Sequence, residues 1–467
     1  MHGSAGVGLN GGISFWYSDI GGPPAARRPS LTQDLQADVC IVGAGFTGLW
    51  TAYHLARQKP DLKIAVLERE FAGFGASGRN GGNMTGRFPW SREVYRRRAS
   101  DDRLLAFEKA LRATPAEIMR TAQAEGIDAD FSPAGHLNVA TTPAQRERLE
   151  AMLRTYIERY GSDEGVRMLE ADELAKRVRI KGALCAVYQP QAIRVQPAKL
   201  VRGLAQAVER RGVTIYEGTA VAGIAPRKVR TETGHTVTAD VVIRATEGFT
   251  PGLPGAERDL IPLNSAIIVT EPAPPERMAE VGWEGSENVS EISHGYNYCQ
   301  RTREGRITVG GRGVPYRFGS GVDQGGRTQD ATIARLKADL ERLFPSLADL
   351  RIDQAWCGVL GVPRDWCSRV NYDPRTGLGW AGAYVGTGVT ASNLAGRTLA
   401  DLILERPTDL TTYPWVNFPT RRWEPEPLRW LGVHAMYQLY GLADRQELGG
   451  GLTSPLARLA DRITGRT

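Results

Sequence analysis

The chain lacks the cysteine patterns of disulfide-rich or zinc-binding proteins. Its 467 residues include 5 cysteines, which form no even disulfide framework and no C-x-x-C pair with metal-ligand spacing. Cysteine usage of this kind fits a reducing compartment, so we expect a cytoplasmic protein without a bound metal.

Long apolar runs, leader peptides and low-complexity tracts are also lacking. The most apolar window of membrane-spanning length, residues 38–56, is interrupted by glycines and polar side chains. Residues 1–12 are small and glycine-rich, and no apolar segment follows Arg27 and Arg28, so we expect no secretion signal. With 42% hydrophobic and 24% charged residues, the chain is expected to be globular rather than disordered or fibrous.

Charge of one sign is not concentrated in any segment. A net charge of +6 could indicate a nucleic-acid partner, but the basic residues are mostly isolated arginines rather than a run interleaved with aromatics. We therefore expect no nucleic acid, and a solvated surface with a mild attraction for anionic ligands.

Glycine, by contrast, occurs in a pattern that binds dinucleotides. The sequence predicts a buried strand at residues 39–42, a tight turn at 43–48 (GAGFTG), a helix at 49–57 and a second strand at 63–68. This order is a βαβ unit, in which a G-x-G-x-x-G turn stands between its strand and its helix.

Each feature of that unit has a physical role in holding a dinucleotide. Gly43 permits the tight turn, Gly45 lets the backbone approach a pyrophosphate, and Gly48 allows close packing of the helix. Phe46 and Thr47 open the helix, whose free N–H groups and partial positive charge attract phosphate. An acidic residue at the end of the second strand can accept hydrogen bonds from both ribose hydroxyls, and Glu68 lies at this position.

Two further glycine-rich segments favour FAD over NAD as the dinucleotide. Residues 75–82 (GASGRNGG) form a second small-residue loop, which lets the backbone approach a bulky planar ligand unless it is only a flexible surface loop. Residues 386–391 offer another G-x-G-x-x-A, but no second strand and acid follow it. The helix that begins there is better interpreted as aiming its N-terminus at the negative charge that develops on a reduced flavin, around N1 and O2 of the ring.

Four segments together resemble the D-amino-acid oxidase-like family of FAD-dependent oxidoreductases, in the branch of gamma-glutamylputrescine oxidase and sarcosine or glycine oxidases. They read DVCIVGAGFTGL, GASGRNGG, ADVVIRATEGFTP and GAYVGTGVTASNLAGR. The resemblance implies an FAD domain plus a substrate domain whose antiparallel sheet covers the flavin. It also implies oxidation of an amine or amino acid by hydride transfer from the carbon bearing nitrogen to flavin N5.

The expected fold is α/β, with α+β character overall: a Rossmann-type FAD-binding domain with an inserted mixed or antiparallel substrate domain. We expect an N-terminal arm at residues 1–34 and a helical C-terminal extension at 407–467. The FAD domain is expected to comprise 35–95, 195–255 and 355–406. The substrate domain is expected to comprise 96–194 and 256–354.

The resemblance also implies which residues contact the cofactor. Glu68 and Arg69 would hold the adenosine ribose, Val221 would lie at the adenine, and Glu247 departs from the small residues that the family places beside Thr246. The full set of expected FAD contacts is Gly43, Gly45, Phe46, Thr47, Gly48, Glu68, Arg69, Gly75, Ala76, Ser77, Arg79, Asn80, Gly81, Gly82, Val221, Thr246, Gly386, Thr387, Gly388, Val389 and Thr390.

Catalytic candidates are fewer. His136 and His294 could each take an amine proton, although a histidine of the core or surface is the simpler interpretation of either. Tyr296 and Tyr298 alternate in a predicted strand and could wall the pocket. Arg79 and Trp356 are expected to meet the flavin ring. A carboxylate-bearing substrate would need an arginine, for which the candidates are Arg87, Arg194, Arg312 and Arg364.

The linkage of the flavin and the electron acceptor stay open. Cys357 falls where some relatives bind flavin through a thioether, but it could equally be a small buried residue, so FAD is expected to be non-covalent. Thr308 occupies the position where sarcosine oxidases carry an oxygen-activating lysine. This departure leaves oxidase activity open: O2, giving hydrogen peroxide, is the expected acceptor, and the alternatives are a dehydrogenase that uses another acceptor and a specialised biosynthetic flavoenzyme on the same fold. A non-catalytic FAD-binding subunit is a further alternative.

The C-terminal stretch, residues 415–467, has leucines at helical spacing together with arginine and tryptophan. It could lie on a membrane surface. We expect it instead to pack on the FAD domain or against a second subunit of a homo-oligomer.

Overall fold

The computed structural model describes residues 6–88, 91–161, 164–312, 316–323, 325–450 and 453–464. In chain order the strands are β1 (Val7–Asn10), β2 (Leu35–Val42), β3 (Ile64–Leu67), β4 (Asn83–Met84), β5 (His136–Ala140), β6 (Arg167–Glu170), β7 (Cys185–Gln189), β8 (Ile193–Arg194), β9 (Thr214–Tyr216), β10 (Val221–Ala225), β11 (Lys228–Thr231), β12 (Thr236–Arg244), β13 (Ile261–Pro272), β14 (Asn288–Glu291), β15 (Asn297–Arg301), β16 (Arg306–Arg312), β17 (Ile352–Val362), β18 (Arg369–Asp373) and β19 (Leu378–Gly382). The helices are α1 (Phe15–Ser18), α2 (Phe46–Gln58), α3 (Arg92–Arg96), α4 (Asp101–Ala124), α5 (Pro143–Tyr160), α6 (Ala171–Ala175), α7 (Pro197–Glu209), α8 (Pro275–Val281), α9 (Asp330–Leu343), α10 (Gly388–Ile403), α11 (Leu428–Leu448) and α12 (Pro455–Thr464).

One sheet has the parallel centre of a Rossmann-type fold. Strands β12, β2, β3 and β9 pair in parallel in this order, and β19 joins the free side of β12, also in parallel. Strands β2 and β3 are apolar over successive residues, as burial on both faces of a parallel sheet requires. Helices α2 and α10 pack so closely that a Cβ on Gly396 would lie 2.8 Å from the backbone nitrogen of Thr51.

The other large sheet is mixed and mostly antiparallel. Its order is β1-β17-β13-β16-β15-β14-β5-β7-β6, in which only the pairs β1 with β17 and β14 with β5 are parallel within the described part of the chain. The core of this sheet is built by apolar side chains of β13, β16 and β17 against helix α9. The expected α/β class, with a Rossmann-type sheet and a second mixed sheet, is confirmed.

The N-terminal arm is more ordered than its composition suggests. Residues 7–10 form β1 at the edge of the mixed sheet. The aromatic patch Phe15 to Tyr17 is buried, and its Trp16 Nε1 donates to the Asn80 carbonyl at 2.7 Å. Ser14 Oγ donates to the Gly78 carbonyl at 2.7 Å. The arm therefore packs directly on the second glycine-rich loop.

Several elements differ from the sequence prediction. Helix α2 begins at Phe46 rather than at residue 49, because its first turn is the last part of the glycine motif. Tyr296 lies before β15 with a left-handed φ of 49°, so it does not alternate with Tyr298 along one strand. Strand β17 starts at Ile352 and belongs to the mixed sheet, although a boundary was expected at residue 355. The division of the chain into domain segments stays a prediction.

The C-terminal segment forms helices α11 and α12, which pack together. Val433 of α11 joins an apolar cluster with Ile261, Leu263 and Trp423, while Leu431 and Leu442 remain about half exposed, at 52% and 45%. Among the residues that the structure describes, no helix has the length and apolar character needed to cross a bilayer.

Candidate active site

A cavity of about 510 Å³ lies between the carboxyl ends of the parallel strands and one face of the mixed sheet. At one end it is lined by Gly43, Glu68 and Val221 of the parallel sheet, and at the other by His136 of β5 and Gln189 of β7. Gly358 of β17 also lines it, and five interstrand steps, about 24 Å, separate β17 from β5. The cavity is thus long enough for a dinucleotide and a second molecule beside it.

The first glycine turn has no room for side chains. Gly43 has a left-handed φ of 107°, and a Cβ there would lie 2.6 Å from the Ala245 carbonyl oxygen. A Cβ on Gly48 would lie 2.0 Å from the carbonyl oxygen of Gly43 itself. Because any side chain would push the turn open, glycine keeps the start of α2 tight against β2 and β12.

Glu68 is held beside this turn. Its Oε2 accepts the Ala44 N–H at 2.9 Å, and its Oε1 accepts the Glu70 N–H at 3.0 Å. Burial raises the pKa of the Glu68 carboxyl, while these two N–H groups act in the opposite direction. The carboxylate lines the cavity, where it can accept hydrogen bonds from the hydroxyl groups of a ribose.

The second glycine loop is a packed part of the site, so its interpretation as a flexible surface loop is wrong. Ser77 Oγ accepts the Phe46 N–H at 2.8 Å and so ties the loop to the first turn of α2. A Cβ on Gly81 would lie 2.4 Å from the Tyr298 ring, and one on Gly82 would lie 2.2 Å from the Val195 carbonyl oxygen. The mixed sheet, through Tyr298 of β15, and the segment that follows β8, through Val195, therefore both lie against this loop.

Arg79 lines the cavity from within that loop and is almost fully buried. Its Nε donates to the Phe74 carbonyl at 2.7 Å, and its guanidinium lies 4.4 Å from the centre of the Phe74 ring. Burial lowers the pKa of Arg79. The Trp356 ring lies one layer behind: its Nε1 donates to the Arg79 carbonyl at 2.8 Å. Trp356 does not line the cavity but supports Arg79 from behind. Its predicted contact with the reacting centre is therefore wrong.

Glu247 links three segments around the cavity. Its carboxylate accepts the Ala383 N–H at 2.9 Å and the Tyr384 N–H at 3.2 Å, and the Gly361 N–H also contacts it. Burial raises its pKa to about 7, although the three N–H groups oppose the shift. Glu247, which departs from the small residues expected beside Thr246, thus has three backbone N–H groups as hydrogen-bond partners.

The N-terminus of α10 also faces the cavity. The preceding turn contains left-handed Val385 and Gly386, with φ of 48° and 98°, and Thr387 Oγ1 donates to the Tyr384 carbonyl at 2.8 Å. Residues 384–389 line the cavity. Thr390 does not, because it lies on the inner side of the first helical turn and is buried. Its predicted cofactor contact stays a prediction.

The far end of the cavity is lined by neutral polar side chains. His136 Nδ1 lies 3.1 Å from Asn83 Nδ2, which can only donate, and Asn83 Oδ1 accepts from Asn288 Nδ2 at 3.0 Å. This chain of bonds makes Nδ1 an acceptor, so the proton of the neutral ring is on Nε2. Burial, aided by the charge of Arg87, lowers the His136 pKa to about 4. His136 is therefore neutral at physiological pH and is a hydrogen-bond donor rather than a base.

The loop between β14 and β15 completes this end. Ile292, Ser293 and Tyr296 line the cavity, and the Tyr296 hydroxyl lies 3.3 Å from Ser290 Oγ. His294 does not line it, because its Nε2 is turned to Glu447 at 2.9 Å. The prediction of His294 as a base at the reacting centre is thereby wrong, while Tyr296 stays a candidate.

The sequence of the chain matches the family described as FAD dependent oxidoreductase (DAO) over residues 38–402. The chain belongs to this family. Gamma-glutamylputrescine oxidoreductase of Escherichia coli (strain K12) is 30% identical over 426 residues, which cover 89% of this chain and 95% of that protein. As a family member related to oxidoreductases over most of its length, the chain is an enzyme.

Solved structures of similar fold agree with this assignment. Glycine oxidase from Geobacillus kaustophilus superposes with a TM-score of 0.68 at 22% identity, covering 82% of this chain and all of that one (100%). L-proline dehydrogenase from P. horikoshii superposes with a TM-score of 0.66 at 18% identity, covering 82% and 98%. An oxidase and a dehydrogenase therefore share this FAD-dependent oxidoreductase fold.

The residues present fit the FAD that family members use. Turns that a Cβ would fill stand at Gly43 and Gly81, and the first residues of α2 and α10 line the cavity, where a helix N-terminus favours phosphate and other negative charge. Of the expected contacts, those that line it are Gly43, Gly45, Phe46, Thr47, Glu68, Arg69, Gly75, Ala76, Ser77, Arg79, Asn80, Gly81, Val221, Thr246, Gly386, Thr387, Gly388 and Val389. Gly48 and Gly82 are packed behind the lining and act through their lack of a side chain.

Cys357 is turned away from the cavity of this FAD-dependent oxidoreductase. Its Sγ lies 3.4 Å from the Arg327 carbonyl oxygen, and successive residues of a strand point to opposite faces, so Gly358 lines the cavity instead. Burial raises the pKa of the Cys357 thiol, which disfavours the reactive thiolate. Both observations favour a non-covalent cofactor.

Among the arginine candidates whose side chains the structure describes, only Arg87 lines the cavity. Arg364 pairs with Glu424 through Nε at 3.0 Å, and Arg194 is buried beside β4. The side chain of Arg312 lies outside the described residues. Thr308 of β16 is fully buried between β13 and β15, with its hydroxyl donating to the Gln300 carbonyl at 3.4 Å.

Sequence reasoning missed several residues of the lining. Some could have been found, since Phe249 and Leu253 follow the recognised turn at Thr246, and Val359 with Leu360 follow Gly358. Others carry no local signal, because they are single polar residues in strands or loops far apart in the sequence. These are Asn83, Asn138, Gln189, Thr219, Glu232 and Ser265.

Proposed function

We propose that the chain oxidises the C–N bond of an amine or amino acid to the imine. The turns at Gly43 and Gly81 would hold FAD, which when bound would supply an acceptor for the hydride from the carbon that bears the nitrogen; with O2 as the final acceptor the second product would be hydrogen peroxide. The observation that carries this proposal is one continuous cavity, with a dinucleotide cradle at one end and, at the other, a polar wall that carries no carboxylate among the described lining residues.

The charge distribution along the cavity favours this orientation. The carboxylates in the lining, Glu68, Glu232 and Glu247, all belong to the parallel sheet and its connections. At the β5 end, Arg87 is the only charged side chain among the described lining residues. An ammonium ion therefore finds no counter-charge near the mixed sheet, and desolvation favours the neutral amine that the oxidation requires.

The same end favours a substrate that carries an anionic or acyl group away from its reacting nitrogen. Arg87 is exposed, and among the described residues it has no ion-pair partner within 4.0 Å. Beside it, His136 offers a fixed Nε2–H, and Asn138 adds an amide that lies 3.4 Å from Gln189. Cation, imidazole N–H and amide together suit a carboxylate or amide carbonyl. We therefore propose an elongated substrate, for which gamma-glutamylputrescine, named in the E. coli relative, is the first to test.

The experiment is an anaerobic titration of the purified holoenzyme with amines, followed by flavin absorbance. We expect bleaching by an amine that carries a distal carboxylate, and weaker bleaching by the same amine without it. If no amine or amino acid in a broad panel bleaches the flavin, the proposal fails, and a non-catalytic FAD-binding subunit replaces it.

A dehydrogenase is the second candidate, because no lysine lines the cavity in the described part of the chain. Peroxide formation under air is measured beside reduction of an artificial dye, with the substrate found in the titration. Peroxide in proportion to substrate consumed supports an oxidase. Dye reduction without peroxide assigns the enzyme to a dehydrogenase.

A further inference from the structure

The loop of residues 292–296 forms part of the cavity wall at the substrate end. Ile292, Ser293 and Tyr296 face the cavity, whereas His294 and Gly295 face outward toward helix α11. Tyr296 has a left-handed φ of 49°, a conformation that persists only where the surroundings hold it. The contacts on the outer side of the loop therefore determine the position of its inner side.

Asp444 of α11 holds the backbone of this loop with both carboxylate oxygens. Oδ1 accepts the His294 N–H at 2.7 Å, and Oδ2 accepts the Gly295 N–H at 2.6 Å. Bonds from N–H groups to a carboxylate are stronger than those between neutral groups. A Cβ on Gly295 would lie 2.9 Å from Asp444 Oδ2, so the loop and the helix are in close contact.

Glu447, one turn further along α11, holds the same loop through two side chains. Its Oε1 lies 2.9 Å from His294 Nε2, and its two oxygens accept from Arg148 at 3.0 and 2.7 Å. Arg148 also donates to the Ile292 carbonyl at 3.1 Å. Burial opposes ionisation of Glu447, but its bonds with His294 and Arg148 outweigh burial and lower its pKa to about 2. The loop is thus clamped from α5 and α11 together.

Helix α11 lies beyond residue 402, where the match to the family ends. We propose that Asp444 and Glu447 are positioning residues through which the C-terminal helix sets the substrate wall formed by Ser293 and Tyr296. The proposal rests on the proposed function for its substrate. It gives the C-terminal extension a role in substrate recognition, although neither carboxylate lines the cavity.

The first test compares Asp444→Ala with the wild type under steady-state conditions. We expect KM to rise about tenfold while kcat changes less than about twofold, because the wall is displaced but the reacting centre is not. Asp444→Asn, which retains one acceptor oxygen, is expected to restore part of the KM. The matched control is Asp461→Asn, which removes a charge between α11 and α12 but keeps an acceptor oxygen for the Tyr440 hydroxyl; because Asp461 does not bond to the loop, its KM is expected to be unchanged.

A second pair of variants separates positioning from proton transfer at His294. His294→Gln keeps an N–H donor for Glu447, and we expect kcat and its pH profile to remain those of the wild type. His294→Leu loses the donor, and we expect KM to rise as in Asp444→Ala. A large loss of kcat in His294→Gln would overturn the proposal and return His294 to catalysis.

The side chains of His294, Asp444 and Glu447 also lie close enough together to hold a metal ion, with their ligand atoms within 4.8 Å of one another. Their oxygens already accept the N–H groups named above, so we expect dialysis of the holoenzyme against EDTA to leave KM unchanged. A KM that rises on chelation and recovers with Zn²⁺ would overturn the positioning role.

Hydrogen exchange of the peptide that spans residues 292–298 reports on the loop without any substrate. Exchange in this peptide is expected to speed up in Asp444→Ala and to stay at the wild-type rate in Asp461→Asn. Faster exchange with an unchanged KM overturns the proposal. If the wild type oxidises no amine, the proposed function fails, and unchanged exchange in Asp444→Ala would show separately that Asp444 does not hold the loop.

Discussion

The two ends of the cavity are built in opposite ways. At the nucleotide end, the shape is made by backbone: turns at Gly43, Gly45 and Gly81 approach neighbouring atoms so closely that no side chain fits. At the far end, the surface is made by side chains such as His136 and Tyr296, which arrive from different strands and loops of the mixed sheet.

This difference explains what each end can do. A backbone cradle recognises groups that every dinucleotide shares, because N–H groups and helix termini bind phosphate whatever the rest of the ligand is. A wall of side chains can be exchanged one residue at a time, so it suits the part of the ligand that varies among relatives. Loss of a glycine should therefore affect the cofactor, whereas loss of a wall residue should affect only the substrate.

The sharpest test of the backbone cradle is Gly48→Ala. The new Cβ would lie 2.0 Å from the Gly43 carbonyl oxygen, and relief of such overpacking costs about 3 kcal/mol or more. We expect nearly complete loss of bound flavin, measured as flavin absorbance per protein. Gly441→Ala on α11, where an added Cβ meets nothing within 4 Å, is the control and should retain full flavin.

Glu247 tests whether the cradle also depends on a buried side chain. Its pKa is raised from 4.5 to about 7, so the unfolded chain loses this proton first and stability falls as pH rises from about 4.5 to 7. Over this range the free energy of unfolding falls by about 3 kcal/mol in total if the whole pKa shift contributes to stability. Glu247→Gln cannot titrate, so the difference in Tm between wild type and variant should shrink from pH 5 to pH 8. A difference that is constant over this range would contradict the account.

Arg87→Gln tests the opposite end. We expect KM for an amine with a distal carboxylate to rise about fivefold, equivalent to about 1 kcal/mol, because an exposed charge pair is worth roughly that amount or less. Flavin content should not change. The same amine without its carboxylate provides the control, and an equal rise in KM for both compounds would contradict a carboxylate contact. High salt should weaken the effect in the wild type.

Cys357→Ser should have the smallest effect of the series. Because the sulfur faces Arg327 and Asn264 rather than the cavity, we expect FAD to be released equally from wild type and variant by acid denaturation. The measurement is the yellow colour left in the precipitate. Colour retained in the wild type and lost in the variant would establish a thioether instead.

Much of the cofactor end could be predicted because its residues are close in sequence. The strand, turn and helix of β2 and α2 lie within residues 35–58, and Glu68 follows at the end of β3. Local spacing alone therefore identified the turn, the helix and the acid. Local spacing could not show that the side chains of Thr390 and Trp356 point away from the cavity. The direction of a side chain at the start of a helix or along a strand depends on its packing partners.

The substrate end could not be derived in the same way. His136 and His294 looked equivalent in the sequence, yet one lines the cavity and the other pairs with Glu447, more than one hundred residues away. Nothing local distinguishes them, since the β14–β15 loop is turned by contacts with α11. The role of Glu247 likewise depends on three N–H groups from two other segments.

The sequence by itself thus determined the cofactor class, the Rossmann-type unit and the family. The reason is that the backbone of glycine-rich turns binds a dinucleotide, and short glycine motifs specify these turns. Only the tertiary structure decided which polar side chains meet at the substrate end and how the C-terminal helix holds them. The physical reason is the sheet itself: neighbouring strands bring together residues that the chain separates by a hundred positions or more, and no local pattern records that pairing.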